Sequence, residues 1–566
     1  MQLPTAVDVL IIGAGPVGLI TAVGLQQQGV ETLVVEKRER DEQATYGRAC
    51  TLYPRSLELL EQVDLATDLI QEGFAGRSSV NYANGKRINE RGWNMMFQHF
   101  KASFHDYALN VRQKYSEDIF RNALMSHGKQ VGHGWKLSGF SIDTSLGDGY
   151  NVSAVLEHAT LGESHIRCKY IVGADGSAST VRNLADIPQD VDSTVFQWIR
   201  IDGKMTTDMP GAELGFAAVE TTTHGNVLWV KLNKDAYRVG YALSPALLAK
   251  YPNGLTKEVA VAEAIEGMKP FKLSVERVDW WTDYKIRQSV ATQLQKNEFI
   301  LLAGDAAHTH SSGFAQGMNT GIHDATNLIW KLSGSIKGWY QPSVLASYHE
   351  ERHAAATRLI NIDRNAAAAI SGEVPPEYAG RDKSPHELLK LIFVENIGFN
   401  IGLGVSYAKS VLNQAPAETT LPSGWRAPDA LLHEPGTRFP LRFYDALLRD
   451  HARGRWNIVV FAGNPAMTSG NYRIAADSLS KLVDRRPAMF HALTIIKGDT
   501  GGAWAALGGP AWGKFYLDLE GKTHSEYGVE QSLGAIVVIR PDHILAYAAS
   551  LDSAGDIATY FNSFIM

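Results

Sequence analysis

Three stretches carry residue types and spacings that can do chemistry. In the first, a β-branched and aliphatic run over residues 7–12 passes into Gly13-Ala14-Gly15-Pro16-Val17-Gly18, a helix-like segment to Gln28, and a capping Gly29. A second apolar run over 30–35 ends at Glu36-Lys37, Glu36 lying 18 residues beyond Gly18. Each part has a physical task. Gly13 permits a tight turn, Gly15 lets the backbone approach a pyrophosphate, Pro16 suits the first helical position, and Gly18 allows helix and strand to pack closely. Glu36 can accept hydrogen bonds from ribose hydroxyls, so the expected ligand is an adenine dinucleotide. The second stretch runs from an apolar strand into Asp175-Gly176-Ser177, with Ser179, Thr180, Val181 and Arg182 opening a helix. In the third, a strand over 299–303 breaks at Gly304-Asp305 and crosses a Gly/Ser/Thr-rich loop before Gln316-Gly317-Met318-Asn319 opens an amphipathic helix. Unpaired N–H groups at such a helix start favour phosphate or a developing anion, and Asp305 suits a sugar hydroxyl.

The elements that must position these stretches read as α/β. A chain of 566 residues implies two or three domains. With 54 Lys+Arg against 60 Asp+Glu the net charge is only −6, and no basic block stands out, so no nucleic-acid partner is expected. No membrane association is expected either. The most apolar long stretch, 389–412, is interrupted by Lys390, Glu395, Asn396, Asn400 and Lys409 and reads as a core helix. Residues 9–12 pass straight into the glycine motif with no leader pattern, which points to the cytoplasm. Two cysteines, Cys50 and Cys168, give no disulfide framework and no metal cluster, so no metal is expected. Extended segments over 194–201, 226–232 and 237–243 suggest a sheet with one wet face, the last two joined by a turn at Asn233-Lys234-Asp235-Ala236. Trp93, Met95, Met96, Phe97 and Phe100 read as a core cluster, with a place in a pocket wall as the alternative. Pro416, Pro422 and Pro428 punctuate a linker, after which strands over 458–462, 493–496 and 535–539 and a hairpin through 540–543 form a new α/β pattern.

In this order and spacing, GAGPVG, GADGSASTVR and GDAAHTHSSGFAQGMNTGIHDATNLIWKL resemble the class A flavin-dependent aromatic hydroxylases, in their phenol hydroxylase-like branch; the similarity runs over about the first 400 residues. The resemblance implies a Rossmann-type FAD-binding domain (1–190 and 286–414), an inserted β-sheet substrate domain (191–285), a linker (415–425) and a thioredoxin-like domain without CxxC (426–566). It implies FAD as cofactor, NADPH as transient reductant, and O₂ and a small aromatic molecule as substrates, in a homodimer. The implied reaction is hydroxylation of a phenolic or polyphenolic ring by a flavin C4a-hydroperoxide. Asp175-Gly176 then serves FAD and NADPH, Asp305 the ribityl or ribose region, and the backbone of Gly317, Met318 and Asn319 the pyrimidine edge of the flavin. Arg48 and Gln113 match flavin-side contacts. Tyr284 matches a tyrosine beside the substrate hydroxyl, and Arg287 is a further candidate at a substrate oxygen.

Two departures stand out. Cys50 takes the place of the branch's aspartate, where it is a conceivable proton acceptor or small buried filler, and Ser312 stands where proline is usual, with Ala315 where glycine is common. These changes beside the flavin suggest a bulky polyketide-like phenol. The alternatives are Baeyer–Villiger or epoxidising oxygen insertion on a polycyclic carbonyl compound, and a flavoprotein that no longer oxygenates.

Overall fold

The computed structural model describes residues 3–43, 48–89, 93–145, 147–311, 313–414, 422–450 and 452–566. Gly47, Ser312 and most of the expected linker lie outside them. The chain divides into two compact units, Met1–Thr326 with Arg352–Leu403, and Asn327–Glu351 with Gly404–Met566. Among the described residues no helix is long and apolar enough to cross a membrane.

The first unit contains a Rossmann-type sheet in which Ala6–Ile12 lies between Thr32–Glu36 and Gly162–Gly173, all parallel, with Ile300–Leu302 parallel beside Gly173. Continuous burial of Thr32–Glu36 explains why its centre, Leu33-Val34-Val35, is unbroken apolar rather than alternating. The register sets Ile12 opposite Gly173 and Val35, and Gly173 opposite Leu302. All three sequence motifs therefore leave the sheet at one carboxyl edge, where ligands of open α/β sheets bind.

A second sheet of eight strands is built around two ribbons of 19 residues, Gln189–Thr207 and Leu273–Ala291, and continues through Tyr237–Ala242, Gly225–Lys231, Phe216–Thr221 and Val80–Ala83. The first ribbon is much longer than the 194–201 expected, because it pairs with its partner through register shifts that bend it without ending it. The turn at Asn233–Ala236 forms as expected, with Lys234 and Asp235 at positive φ. One face of this sheet (Ile199, Ile201, Val227, Trp229, Val239) packs on Leu247, Ala260 and Ala264 of two helices. The opposite face carries Trp198, Arg200, Asp202, Arg238 and Gly240, the residues that alternate with them.

The stretch 389–412 is not one helix. Pro385–Glu395 stops at Asn396, Ile397–Asn400 adds a short turn, and Gly402 at φ +79° ends it. In the second unit, strand Trp456–Gly463, helix Pro465–Val483 and parallel strand Phe490–Lys497 are followed by the antiparallel pair Ala535–Ile539 and Leu545–Ala549 and helix Gly555–Asn562. This is the thioredoxin-like order, with a core on each face of the sheet.

Candidate functional site

At the carboxyl edge of the first sheet, Gly13, Gly15, Glu36, Lys37, Arg48, Gln113, Asp175 and Gly176 line one groove. The glycines are fixed by different causes. Gly13 sits at φ +108° with Ala174 O 2.3 Å from where a Cβ would stand, and a Cβ on Gly18 would lie 2.0 Å from Gly13 O. A Cβ on Gly15 would meet nothing within 4 Å, so its space faces the groove and is available to a ligand. Pro16 opens the helix behind it, whose cap makes no side-chain hydrogen bond and leaves first-turn N–H groups for an anion. These residues fit the pyrophosphate of FAD.

Glu36 is committed to shape as well as to ligand: its carboxylate accepts from Ala14 N and Arg38 N, both at 3.1 Å. Asp175 caps the helix Thr180–Leu184 by accepting from Ser179 Oγ, Thr180 N and Val181 N. Arg182, from that helix, donates to Ala306 O (2.9 Å) and Ser177 O (3.0 Å), tying the second motif to the third. Gln113 accepts from Ala49 N at 3.1 Å and donates to Glu117 at 2.8 Å, fixing the segment that carries Arg48, which is itself exposed.

Glu117 also lines the groove. Burial pushes its carboxyl up to about 7, the Gln113 hydrogen bond and Arg121 offsetting only part of the effect. A carboxyl raised in the folded state contributes stability that is complete below its unfolded value of about 4.3 and is lost as pH rises through about 7. In flavin-stripped protein, Glu117→Gln is therefore expected to gain stability over the parent by roughly 2–3 kcal/mol at pH 8 and by little at pH 5, read from urea midpoints. A difference independent of pH would show that Glu117 titrates normally.

Gly304 opens a 3₁₀ turn from which Asp305 projects, exposed. A residue absent from the sequence reading holds that turn: buried Asp324 accepts from Gly304 N (2.9 Å), His308 Nε2 (2.8 Å) and Arg352 Nε (2.7 Å). At the start of the helix Gln316–Ile336, Gln316 donates to Asn400 O, Gly317 is half-buried and Met318 is buried. The Asn319 side chain is wholly occupied: Oδ1 accepts from Tyr53 N (2.9 Å) and Ser56 Oγ (2.7 Å), while Nδ2 donates to Thr51 O (2.9 Å) and Ala315 O (2.7 Å). Tyr53 Oη donates to Phe314 O at 2.7 Å, closing the same clamp. Ala315 sits at φ +54°, which explains why glycine suits this position and makes alanine a strained choice.

Beyond that loop lies a cavity of about 1110 Å³ including its open mouth, walled by Gly313 and Phe314, by Trp198, Arg200 and Gly240 of the second sheet, and by Tyr53, Leu389 and Phe393. Trp93, Met95 and Met96 join its wall, whereas Met96, Phe97 and Phe100 belong to a packed cluster with Phe216, so this short helix serves both as wall and as core. The three candidate catalytic side chains lie outside this lining. Tyr284 is half-buried and faces Trp198 across the ribbon pair, with ring centroids 6.4 Å apart. Arg287 is exposed. Cys50 is buried, its Sγ 3.3 Å from Arg238 Nη1. Burial raises its thiol above the usual range, and the Arg238 guanidinium returns only part of that shift. Arg238 in turn forks onto Asp202 (2.6 and 2.8 Å) and donates to Arg48 O (2.7 Å), so one guanidinium joins the second sheet to the segment on the groove. Charged residues at i and i+2 of a β pattern (Arg200 and Asp202) were the sequence signal for this cluster.

Comparison with known proteins places this geometry. Residues 6–363 match the FAD binding domain family, and residues 505–566 match the phenol hydroxylase C-terminal dimerisation domain. The chain is 27% identical over 628 residues to 3-hydroxybenzoate 4-monooxygenase of Comamonas testosteroni, covering 99% of this chain and 95% of that enzyme. It is 30% identical over 394 residues to rifampicin monooxygenase of Rhodococcus hoagii, covering 66% of this chain and 74% of that one. The fold is similar to that of aklavinone-11 hydroxylase solved with FAD and aklavinone, with a TM-score of 0.73, 22% identity and 99% of each chain covered. A dinucleotide groove, a clamped loop at a helix start and an apolar cavity beside it are thus found in a chain that belongs to the FAD-dependent aromatic monooxygenases, in the branch carrying a phenol hydroxylase C-terminal dimerisation domain.

Proposed function

We propose that this enzyme uses NADPH and O₂ to hydroxylate a polycyclic phenol held in the cavity against the Gly313-Phe314 loop. The observation that carries the reading is the cavity itself. Its walls, contributed by several elements from Tyr53 and Trp93 through Trp198 to Leu389 and Phe393, are mainly aromatic, aliphatic and Met side chains, the lining expected around an apolar multi-ring ligand.

FAD, when bound, supplies the reduced ring that activates O₂; the protein binds, orients and excludes water. Gly13, Gly15, Pro16, Gly18, Glu36, Lys37, Arg48, Gln113, Asp175 and Gly176 hold or shape the dinucleotide site, and Gly304, Asp305 and residues 316–319 the flavin end. N–H groups at the start of the Gln316 helix stabilise negative charge on the flavin. Tyr284 keeps the part of hydrogen-bonding partner on the substrate side in this reading, because it faces Trp198 of the cavity wall; Cys50 and Arg287 are given none. The domain boundaries are those of a first FAD-binding segment to 190, an inserted sheet to 285, a second FAD-binding segment to 414, a linker to 425 and a thioredoxin-like domain. The dimerisation domain supports a homodimer, and the cytoplasm supplies its NADPH.

The test is reduction of the flavin-loaded enzyme by NADPH without oxygen, alone and with phenol or polycyclic phenols, followed by O₂ and product analysis. A polycyclic phenol is expected to accelerate reduction and to gain one oxygen with every ring retained. Efficient turnover of phenol itself, with no gain for larger rings, would overturn the polycyclic assignment. A ring-expanded lactone would instead assign Baeyer–Villiger chemistry, and hydrogen peroxide as sole product with every aromatic would sink the oxygenase reading.

A further inference from the structure

The cavity has two chemically different ends, and the register of the second sheet gives their separation. Arg200, Gly240, Leu228, Ala218, Asn81 and Ile88 are paired one to the next across six neighbouring strands, from Gln189–Thr207 to the edge strand Lys86–Ile88. All six line the cavity. One side of the cavity is therefore a continuous strip of sheet, about 24 Å long at the usual spacing of strands. Beside it, two residues along on the same face, a second row carries the pairs Trp198 with Ala242 and Glu220 with Asn226, which also line the cavity. The middle of the strip is low. Gly240, Ala242 and Ala218 raise nothing larger than a methyl group from it, with Leu228 as the one longer side chain among them, so a flat ring system can lie along the strands' face.

One end of the strip is aromatic and touches the flavin-side loop: a Cβ on Gly313 would lie 3.0 Å from Trp198 Cη2. Three strands away, about 14 Å at the same spacing, the strip turns polar. There the carboxylate of Glu220 and the amide of Asn226 stand opposite each other, both half-buried, and Asn81 follows Ala218 in the first row. A carboxylate accepts hydrogen bonds, and each amide both donates and accepts. A hydroxyl group, which also does both, matches that set. An apolar substituent would strip water from these groups and return nothing. A second carboxylate would be repelled by Glu220, and the two cationic residues of the lining, Arg200 and Lys390, disfavour an ammonium group.

We infer that Glu220, Asn226 and Asn81 form a distal subsite for a hydroxyl-bearing substituent, a sugar or a second phenol, carried about 14 Å from the ring held at the Gly313-Phe314 loop. The inference deepens the hydroxylase reading and rests on its assignment of the cavity to substrate.

The experiment titrates the oxidised, flavin-loaded enzyme by flavin fluorescence with four probes: 1-naphthol, which is short; 4′-hydroxyisoflavone, which is long and bare at its far end; daidzein, with a phenol at that end; and daidzin, with glucose there. Product formation from each is measured in parallel. The parent is expected to bind daidzein or daidzin roughly 10- to 100-fold more tightly than 4′-hydroxyisoflavone. Preference for daidzein alone assigns a phenol, and preference for daidzin assigns a sugar. Glu220→Leu and Asn226→Leu are each expected to lose most of that preference while changing 1-naphthol affinity less than about threefold, and Glu220→Gln to keep part of it. Ala218→Met, which fills the strip midway, is expected to weaken all three isoflavones roughly tenfold and to spare 1-naphthol. Equal binding of the three isoflavones by the parent, with 4′-hydroxyisoflavone or 1-naphthol hydroxylated, would overturn the inference and leave the hydroxylase reading standing, the polar end being then only the cavity's mouth. Binding of 1-naphthol with exclusion of every isoflavone would overturn it too, as would a preference that survives both leucine variants or a uniform loss of all four probes in them. If the parent neither binds nor oxygenates any probe, both readings fall.

Discussion

Asp324→Ala is expected to lose about 3–5 kcal/mol of stability and to purify without flavin. The carboxylate is fully buried and accepts from three donors in two parts of the chain: the Gly304 amide and the His308 ring of one loop, and the Arg352 guanidinium of a later helix. Burial alone would raise its carboxyl, but His308 and Arg352 outweigh that and hold it well below the ordinary carboxylate range. Alanine would leave Arg352, only 1% exposed, without this partner and would release the Gly304 turn from which Asp305 projects. Asp324→Asn keeps the shape but removes the charge, so an intermediate loss is expected. The pH dependence has a definite sign: a depressed carboxyl contributes stability that is present above its unfolded value of about 3.9 and is lost as pH falls below it. Urea midpoints and the ratio of flavin to protein absorbance check both claims. A variant with the parental midpoint and a full complement of flavin would show that the Gly304 turn stands without its anchor.

What the sequence disclosed follows how local each constraint is. Gly13, Gly15 and Gly18 obey rules set within a few residues, of turn, approach and packing, and the strands on either side declare themselves by unbroken apolar runs. The thioredoxin-like unit was legible for the same reason, since Trp456–Gly463 and Ala535–Ile539 are buried throughout and Phe490–Lys497 over most of its length. Asp324 was not legible. It reads as one polar residue on an amphipathic helix, and only the tertiary meeting of Gly304, His308 and Arg352 gives it a task. Asn319 was read through its backbone, while its side chain is engaged by contacts more than 260 residues away in sequence. The 19-residue ribbons exceeded expectation because each supplies its partner's hydrogen bonds, which no single-strand propensity reveals. Trp93 to Phe100 could not be divided into wall and core without knowing where Phe216 and the cavity lie. Ala315 was noted as a departure from glycine, yet its positive φ came only from the fold.

The departure at Cys50 leads to the other large expected effect, because its neighbour Arg238 is better connected than the thiol. Arg238→Met is expected to lose about 3–5 kcal/mol, since it leaves Asp202, with no exposed surface, as an uncompensated buried carboxylate. It also removes the donor to Arg48 O and the contact to Cys50 Sγ, so the segment bordering the dinucleotide groove loses its tie to the second sheet. Two effects are thus bundled, and a second variant separates them. Replacing both partners, as Arg238→Met with Asp202→Leu, removes the stranded charge and is expected to recover most of the stability, because paired apolar replacements of a buried ion pair are close to neutral. The tie to Arg48 stays broken in that double variant. FAD affinity is therefore expected to remain down by roughly tenfold in both proteins, the scale of one lost charge-assisted hydrogen bond. Urea unfolding reads the first effect and flavin titration of the stripped proteins reads the second. Recovery of both in the double variant would reduce Arg238 to the counter-ion of Asp202; recovery of stability alone would make it the strut by which the second sheet holds the segment on the groove.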